Sequence, residues 1–376
     1  MSEFAAGPAG RIERVRALMA ERGYDAIVVR DEANLRWLTG VKGVFDYTFE
    51  FPHAAFITAD QCLFHTDSRY LNSFEENTSA GSPWVYDMDE GTIPGWVAGK
   101  IAANKCRVCA VEDDMQINFY QGIQRGLEDC SVACMLPLMH DDIRKMRAIK
   151  DAEEIELMRH AQSITDAAFQ HMLGYIKPGM TEKQVRNELE NFMFANGADS
   201  LAFGSIVASG PNTANPHAVP SDRVIEKGDF VLMDYGAGYC DYRSDMTRTV
   251  VMGEPTQEQL DLYALVRRAH EECVAAIHPG VEGNDIFKLS KKIIGDAGYG
   301  DYYNHGLGHG VGIDIHELPN FNRSKNIIEV GSVITMEPGV YLPGVGGVRL
   351  EDYGVVTENG YEPFTKTPHD LHVIDC

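Results

Sequence analysis

The second part of this chain nearly repeats itself, and that limits its fold more than any single motif does. Tyr175-Ile-Lys-Pro-Gly179 returns as Ala276-Ile-His-Pro-Gly280, 101 residues on, and the runs that follow end at Gly197 and Gly298 with the same offset. Ile225-Glu-Lys-Gly228-Asp-Phe-Val-Leu-Met-Asp234-Tyr-Gly236 returns as Ile328-Glu-Val-Gly331-Ser-Val-Ile-Thr-Met-Glu337-Pro-Gly339, 103 residues on, and between these blocks His217-Ala-Val-Pro220 faces His316-Glu-Leu-Pro319. Solenoid repeats run to about 20–50 residues, so this period is too long for one. It predicts a single α+β domain made of two similar halves, each with helix, glycine stop, strand and acid in the same order.

Each half ends an apolar strand on an acid, Asp234 or Glu337, and a second acid follows, Asp245 or Glu351. An uncompensated charge at the end of a buried strand is costly, and glycine-rich turns in both halves would fold the second acid back beside the first. Four converging carboxylates repel and raise one another's pKa values. Divalent cations remove that cost, and an oxygen-rich set suits Mn²⁺, with Zn²⁺, Co²⁺ or Fe²⁺ served if an imidazole joins. Imidazoles are at hand: His305, His309 and His316 fall within twelve residues, interleaved with glycine that lets backbone crowd a site.

The preceding part alternates helix and strand. Apolar positions at Ile12, Val15, Leu18 and Met19 form a helical stripe stopped by Gly23, and β-type runs follow at 25–29, 54–57, 62–65 and 108–111. The expected division is an α/β domain over 1–138, a charged connector over 139–150, and the repeated domain over 151–376, opened by a capping box at Asp151 and Glu154. A net charge of −23 argues against nucleic acid as a partner, since that binding leans on clustered Lys and Arg. No run approaches the roughly 18 apolar residues of a membrane span, and the N-terminus lacks an apolar signal core, so a cytoplasmic protein that does not enter membranes is expected. Cys106, Cys109, Cys130 and Cys134 could hold a structural zinc. The first pair lies in a β-rich run where residues three apart point to opposite faces, so packing as small hydrophobes is the favoured reading.

Taken together, these motifs resemble the creatinase/prolidase/aminopeptidase P group of metallopeptidases, the pita-bread fold of family M24, over nearly the whole chain. Asn34-Leu-Arg-Trp-Leu-Thr-Gly40 and His65-Thr-Asp-Ser-Arg-Tyr70 are similar to motifs of that group's N-terminal domain. Ala208-Ser-Gly-Pro-Asn-Thr-Ala-Asn-Pro-His217, Asp234-Tyr-Gly-Ala, Ser244-Asp-Met-Thr-Arg-Thr, His309-Gly-Val-Gly, Met336-Glu-Pro-Gly and Val348-Arg-Leu-Glu-Asp resemble its catalytic motifs.

The resemblance implies two divalent ions per chain, held by Asp234, Asp245, His309, Glu337 and Glu351, with Asp245 and Glu351 bridging. It places His217 and His316 on the substrate side as catalytic histidines, and His305, Tyr341 and Arg349 nearby as substrate-binding or supporting residues. It implies hydrolysis of Xaa-Pro bonds, as a prolidase-like dipeptidase or an aminopeptidase P acting on longer peptides, in a cytoplasmic homodimer that takes short proline-containing peptides. Arg323 is either a solvated loop arginine or a partner suited to a dipeptide's free carboxylate. Among other uses of the fold, creatinase works without the ligand set present here. The lyase variant carries an extra acid where this chain has Gly236, and methionine aminopeptidases usually lack a first domain of this size. A non-catalytic binding protein usually loses ligands.

Overall fold

A computed structural model describes residues 7–44, 51–88, 91–322 and 325–376. The chain forms two compact units, Met1–Arg147 and Ala148–Cys376.

The first unit holds a five-stranded mixed sheet in the order Val85–Asp87, Cys62–His65, Ala54–Thr58, Ala26–Val29, Cys109–Val111. Its motif asparagine has a clear duty. Asn34 donates to buried Glu112, whose other oxygen accepts the backbone N–H of Arg30 and Asp31, while Arg147 donates to the Asn34 side-chain oxygen. Burial pushes the Glu112 carboxyl up to about 7. The segment read as a connector, 139–150, is helical over Asp142–Arg147, and the last residue of that helix, Arg147, is pinned inside the first unit. Cys106 and Cys109 lie in this unit's apolar core, where burial raises both thiol pKa values, while Cys130 is exposed and Cys134 half-buried.

The second unit shows the repeat in three dimensions. Helices Ala152–Tyr175 and Glu182–Ala195 precede antiparallel strands Ile206–Ser209, Phe230–Tyr235 and Met246–Met252. Helices Gln257–Ala275 and Gly283–Asp296 precede antiparallel strands Gly308–Gly310, Val333–Met336 and Asp352–Thr357, paired in the same order. The likeness extends to single hydrogen bonds: Gly179 N–H donates to the Ile225 carbonyl as Gly280 N–H does to that of Ile328. Gly228 and Gly331 hold φ of 91° and 90°, a left-handed turn that glycine adopts without strain. The expected capping box at Asp151 and Glu154 is present, with both reciprocal bonds made.

Glu182 fastens the loop that carries His217. Its wholly buried carboxylate accepts from the backbone N–H and hydroxyl of Ser209, from the Asn212 amide, and from the backbone N–H and hydroxyl of Ser221. The two hydroxyls can turn away, but the two backbone donors cannot. Glu182→Gln would aim an amide N–H at one of them, leaving a buried donor unsatisfied at a cost of roughly 1–3 kcal/mol. We expect a lower urea midpoint for Glu182→Gln by circular dichroism, while Glu182→Asp, which keeps the charge, loses less.

Candidate metal centre and active site

Strand geometry explains why the acids meet. Asp234 lies opposite Thr247 in the antiparallel register, and Asp245, two positions before Thr247, shares its face because side chains alternate. In the other half Met336 pairs with Asp352, so Glu337 and Glu351, one residue further along each strand, project across from one another. The halves are joined here: Glu351 N–H donates to the Thr247 carbonyl at 3.1 Å, and the Thr247 hydroxyl donates to Glu351 Oε2 at 2.7 Å.

Asp234, Asp245, His309, Glu337 and Glu351 line one cavity of about 650 Å³, together with His217, His305, His316 and Arg349. One ligand atom from each of Asp245, His309 and Glu351 lies within 4.8 Å of the others. His309 Nε2 is 3.6 Å from Asp245 Oδ2 and 3.5 Å from Glu337 Oε1. The His309 Nδ1 lies 3.0 Å from the Gly310 carbonyl, which fixes Nδ1 as the protonated nitrogen and turns the Nε2 lone pair toward the acids. Asp234 Oδ1 and Asp245 Oδ1 are buried without a hydrogen-bond partner, an arrangement that a cation completes.

The electrostatics agree with that chemistry. Burial, then Asp234 and Glu337, drives the Asp245 carboxyl well above its ordinary range, and burial with Asp245, Glu337 and Asp234 does the same to Glu351. Glu337 is pushed up to about 8 by burial, with Asp234 adding and Arg349 opposing. Burial lowers His309 to about 3 and His305 to about 4, so both rings are neutral. The donor set of four carboxylates and one imidazole fits two hard divalent ions.

The remaining expected residues divide by depth. His217 and His316 are exposed at the cavity mouth, beyond the buried acids. Arg349 reaches the cavity wall, donating to Asp234 Oδ2, the Tyr341 hydroxyl, the Thr247 hydroxyl and the Pro216 carbonyl. Tyr341 stands behind it, between Arg349 and His305 Nε2, and does not line the cavity. Arg323 lies outside the described residues. At Gly236 a Cβ would collide with the Ser244 carbonyl oxygen, so this backbone has no room for the lyase variant's extra acid.

Sequence reading assigns no role to three residues near the site, although Thr247 falls within a quoted motif. Glu182 holds the His217 loop and Thr247 orients Glu351. Lys150 makes a buried ion pair of 2.6 Å with Glu317, next to His316. No local signal distinguishes Lys150 or Glu182 from a solvated charge.

Comparison with known proteins agrees with this geometry. Residues 156–358 match the model of metallopeptidase family M24, and residues 11–149 match the creatinase/prolidase N-terminal domain. An uncharacterized peptidase of Bacillus subtilis, YqhT, is 36% identical over 97% of this chain and 100% of its own length. The Xaa-Pro dipeptidase of Pyrococcus furiosus is 44% identical over 61% of this chain and 67% of its own. Among solved structures, an Xaa-Pro dipeptidase from Bacillus anthracis superposes with a TM-score of 0.89 at 36% identity, covering 98% of this chain and 100% of that one. An X-Pro aminopeptidase from Thermotoga maritima gives 0.85 at 31%, covering 97% and 100%. The α/β N-terminal domain and the pita-bread catalytic domain expected from the motifs are thus both present, and the chain is a member of metallopeptidase family M24.

Proposed function

We propose that this chain hydrolyses Xaa-Pro bonds in short peptides, as a prolidase-like dipeptidase that uses two divalent metal ions. The observation that carries the reading is the buried set of four carboxylates and one imidazole beneath two exposed histidines. It is supported by likeness to proteins named Xaa-Pro dipeptidase over most of the chain. Xaa-Pro aminopeptidase activity on longer peptides is the second reading, favoured by the comparable likeness to the Thermotoga maritima enzyme. Asp234, Asp245, His309, Glu337 and Glu351 would hold the ions, Asp245 and Glu351 contributing one acid from each half, and the oxygen-rich set favours Mn²⁺. A homodimer in the cytoplasm, acting on short proline-containing peptides, is the proposed setting, as the family resemblance implies.

When bound, such ions supply a water acidified to near neutral pKa and Lewis-acid polarisation of the substrate carbonyl. The chain's own residues do the rest. His316, with a pKa lowered by partial desolvation against the cavity wall and by neighbouring His217, would donate a hydrogen bond to the carbonyl oxygen as it gains charge. His217, held through Ser221 and Glu182, would bind near the scissile amide and pass a proton to the leaving nitrogen. Proline's nitrogen carries no hydrogen, so recognition there rests on shape and not on a donated N–H. Arg349 orients Asp234, while Tyr341 and His305 brace Arg349.

Incubating Mn²⁺-loaded protein with Ala-Pro, Ala-Pro-Ala and a proline-free dipeptide tests this reading. Ala-Pro should be cleaved fastest, the proline-free control should survive, and chelator should abolish turnover. Faster cleavage of Ala-Pro-Ala would transfer the reading to an aminopeptidase.

His316→Ala should lower kcat on the order of 10²–10³-fold, the loss seen when an oxyanion donor is removed, with metal content by elemental analysis unchanged. Loss of an ion would make His316 a ligand instead.

The metal-free site has a pH signature. Unfolded glutamate ionises near about 4.3, whereas folded Glu337 holds its proton to about 8. Below about pH 6.5 the buried neutral histidines oppose this, since they take up protons on unfolding. Above it the raised carboxyls leave the folded chain holding more protons than the unfolded one, so metal-free stability should fall as pH rises toward 8. Thermal scans in chelator from about pH 7 to about 8 should show it, and metal loading should release protons and remove the slope.

A further inference from the structure

Behind the metal centre, on the opposite face of the strand Asp352–Thr357, sits a second cluster of potential ligands. His270 lies on helix Gln257–Ala275, Asp352 follows Glu351 directly, and His369 lies in the C-terminal segment. One ligand atom from each falls within 4.8 Å of the others. Adjacent strand residues point to opposite faces, so Glu351 faces the cavity while Asp352 faces this cluster.

His270 makes the cluster unusual. Its ring is wholly buried, yet neither Nδ1 nor Nε2 has a hydrogen-bond partner. A buried imidazole N–H without an acceptor is costly, and its Nε2 lies 3.7 Å from Asp352 Oδ2. His369 Nε2 lies 2.6 Å from that same oxygen, and its Nδ1 faces Glu271 Oε1 at 3.6 Å. A carboxylate behind a ligating histidine commonly orients such rings in zinc sites. Arg248 occupies the other oxygen, Asp352 Oδ1, at 2.7 Å and leaves Oδ2 to the histidines. Ligand atoms around a tetrahedral ion with bonds of roughly 2.0–2.1 Å stand about 3.3 Å apart. That spacing lies between the two observed, so small side-chain rotations would admit the ion. His369 is part-exposed and offers a way in.

We propose that His270, Asp352 and His369 form a further cation site for Zn²⁺ or Co²⁺, with a fourth position open to water. It goes beyond the peptidase reading and does not depend on it. The ion would bind helix Gln257–Ala275 and the C-terminal segment to the strand next to Glu351, in a structural role. Arg248 and Arg267 oppose the ion's charge, and Asp352, Glu271 and Asp370 answer it.

The probe is Zn²⁺ alone, added to the full chain and followed by dialysis. Elemental analysis of wild type, His369→Ala and His270→Gln should show each variant holding one zinc per chain fewer than wild type. Circular dichroism checks that the variants are folded. Equal zinc content in wild type and a folded variant would overturn the proposal. Anomalous scattering at the zinc edge from wild-type crystals needs no variant. A peak between His270 and His369 supports the site, and its absence at saturating zinc refutes it.

Discussion

Four carboxylates brought together where water is scarce set the terms for the rest of the catalytic unit. Asp234, Asp245, Glu337 and Glu351 repel one another, and burial keeps solvent from screening them. That repulsion and burial raise the carboxyl pKa values of Asp245, Glu337 and Glu351, while the guanidinium of Arg349 lies against Asp234. Removing one such partner leaves a buried charge unpaired, which is far more costly than losing a surface pair. Arg349 is wholly buried and bonded to backbone, hydroxyl and carboxylate at once, so its geometry is fixed before any ion or substrate arrives.

The duplication supplies the symmetry that such a centre needs. Each half contributes one acid at the end of a strand and one at the start of the next, and the halves are joined by the backbone bond from Glu351 to Thr247. The imidazole breaks the symmetry. His309 comes from the first strand of the second half, and the equivalent strand of the first half, Ile206–Ser209, brings no ring to the acids. Any cation held by these residues would therefore meet unequal surroundings, because only the second half supplies an imidazole.

What could be read in the sequence was whatever repeats or sits at a fixed local spacing. The offset of the two halves, the acids ending apolar strands and the capping box of Asp151 with Glu154 are local patterns with local causes. The strand Val85–Asp87 was too short to signal, and helix Asp142–Arg147 hid in a charged run because its decisive contact, Arg147 to Asn34, spans 113 residues. Lys150 and Glu182 look like surface charges in sequence. Their burial depends on partners that only the tertiary fold delivers, Glu317 lying 167 residues from Lys150.

The glycines that follow the two strand-ending acids differ in how far the site can be altered. Gly236 is closed by backbone, the Ser244 carbonyl, whereas its counterpart Gly339 is closed by a side chain, the phenol of Tyr341. A neighbouring residue can be trimmed by one codon change, but the Ser244 peptide joins strands Tyr242–Arg243 and Met246–Met252 and is tied to the Ala237 carbonyl, so it cannot move without them. New chemistry on this scaffold is thus open to evolution, or to a designer, beside Glu337 and shut beside Asp234. Two halves that began as copies have become unequal in what they can still become.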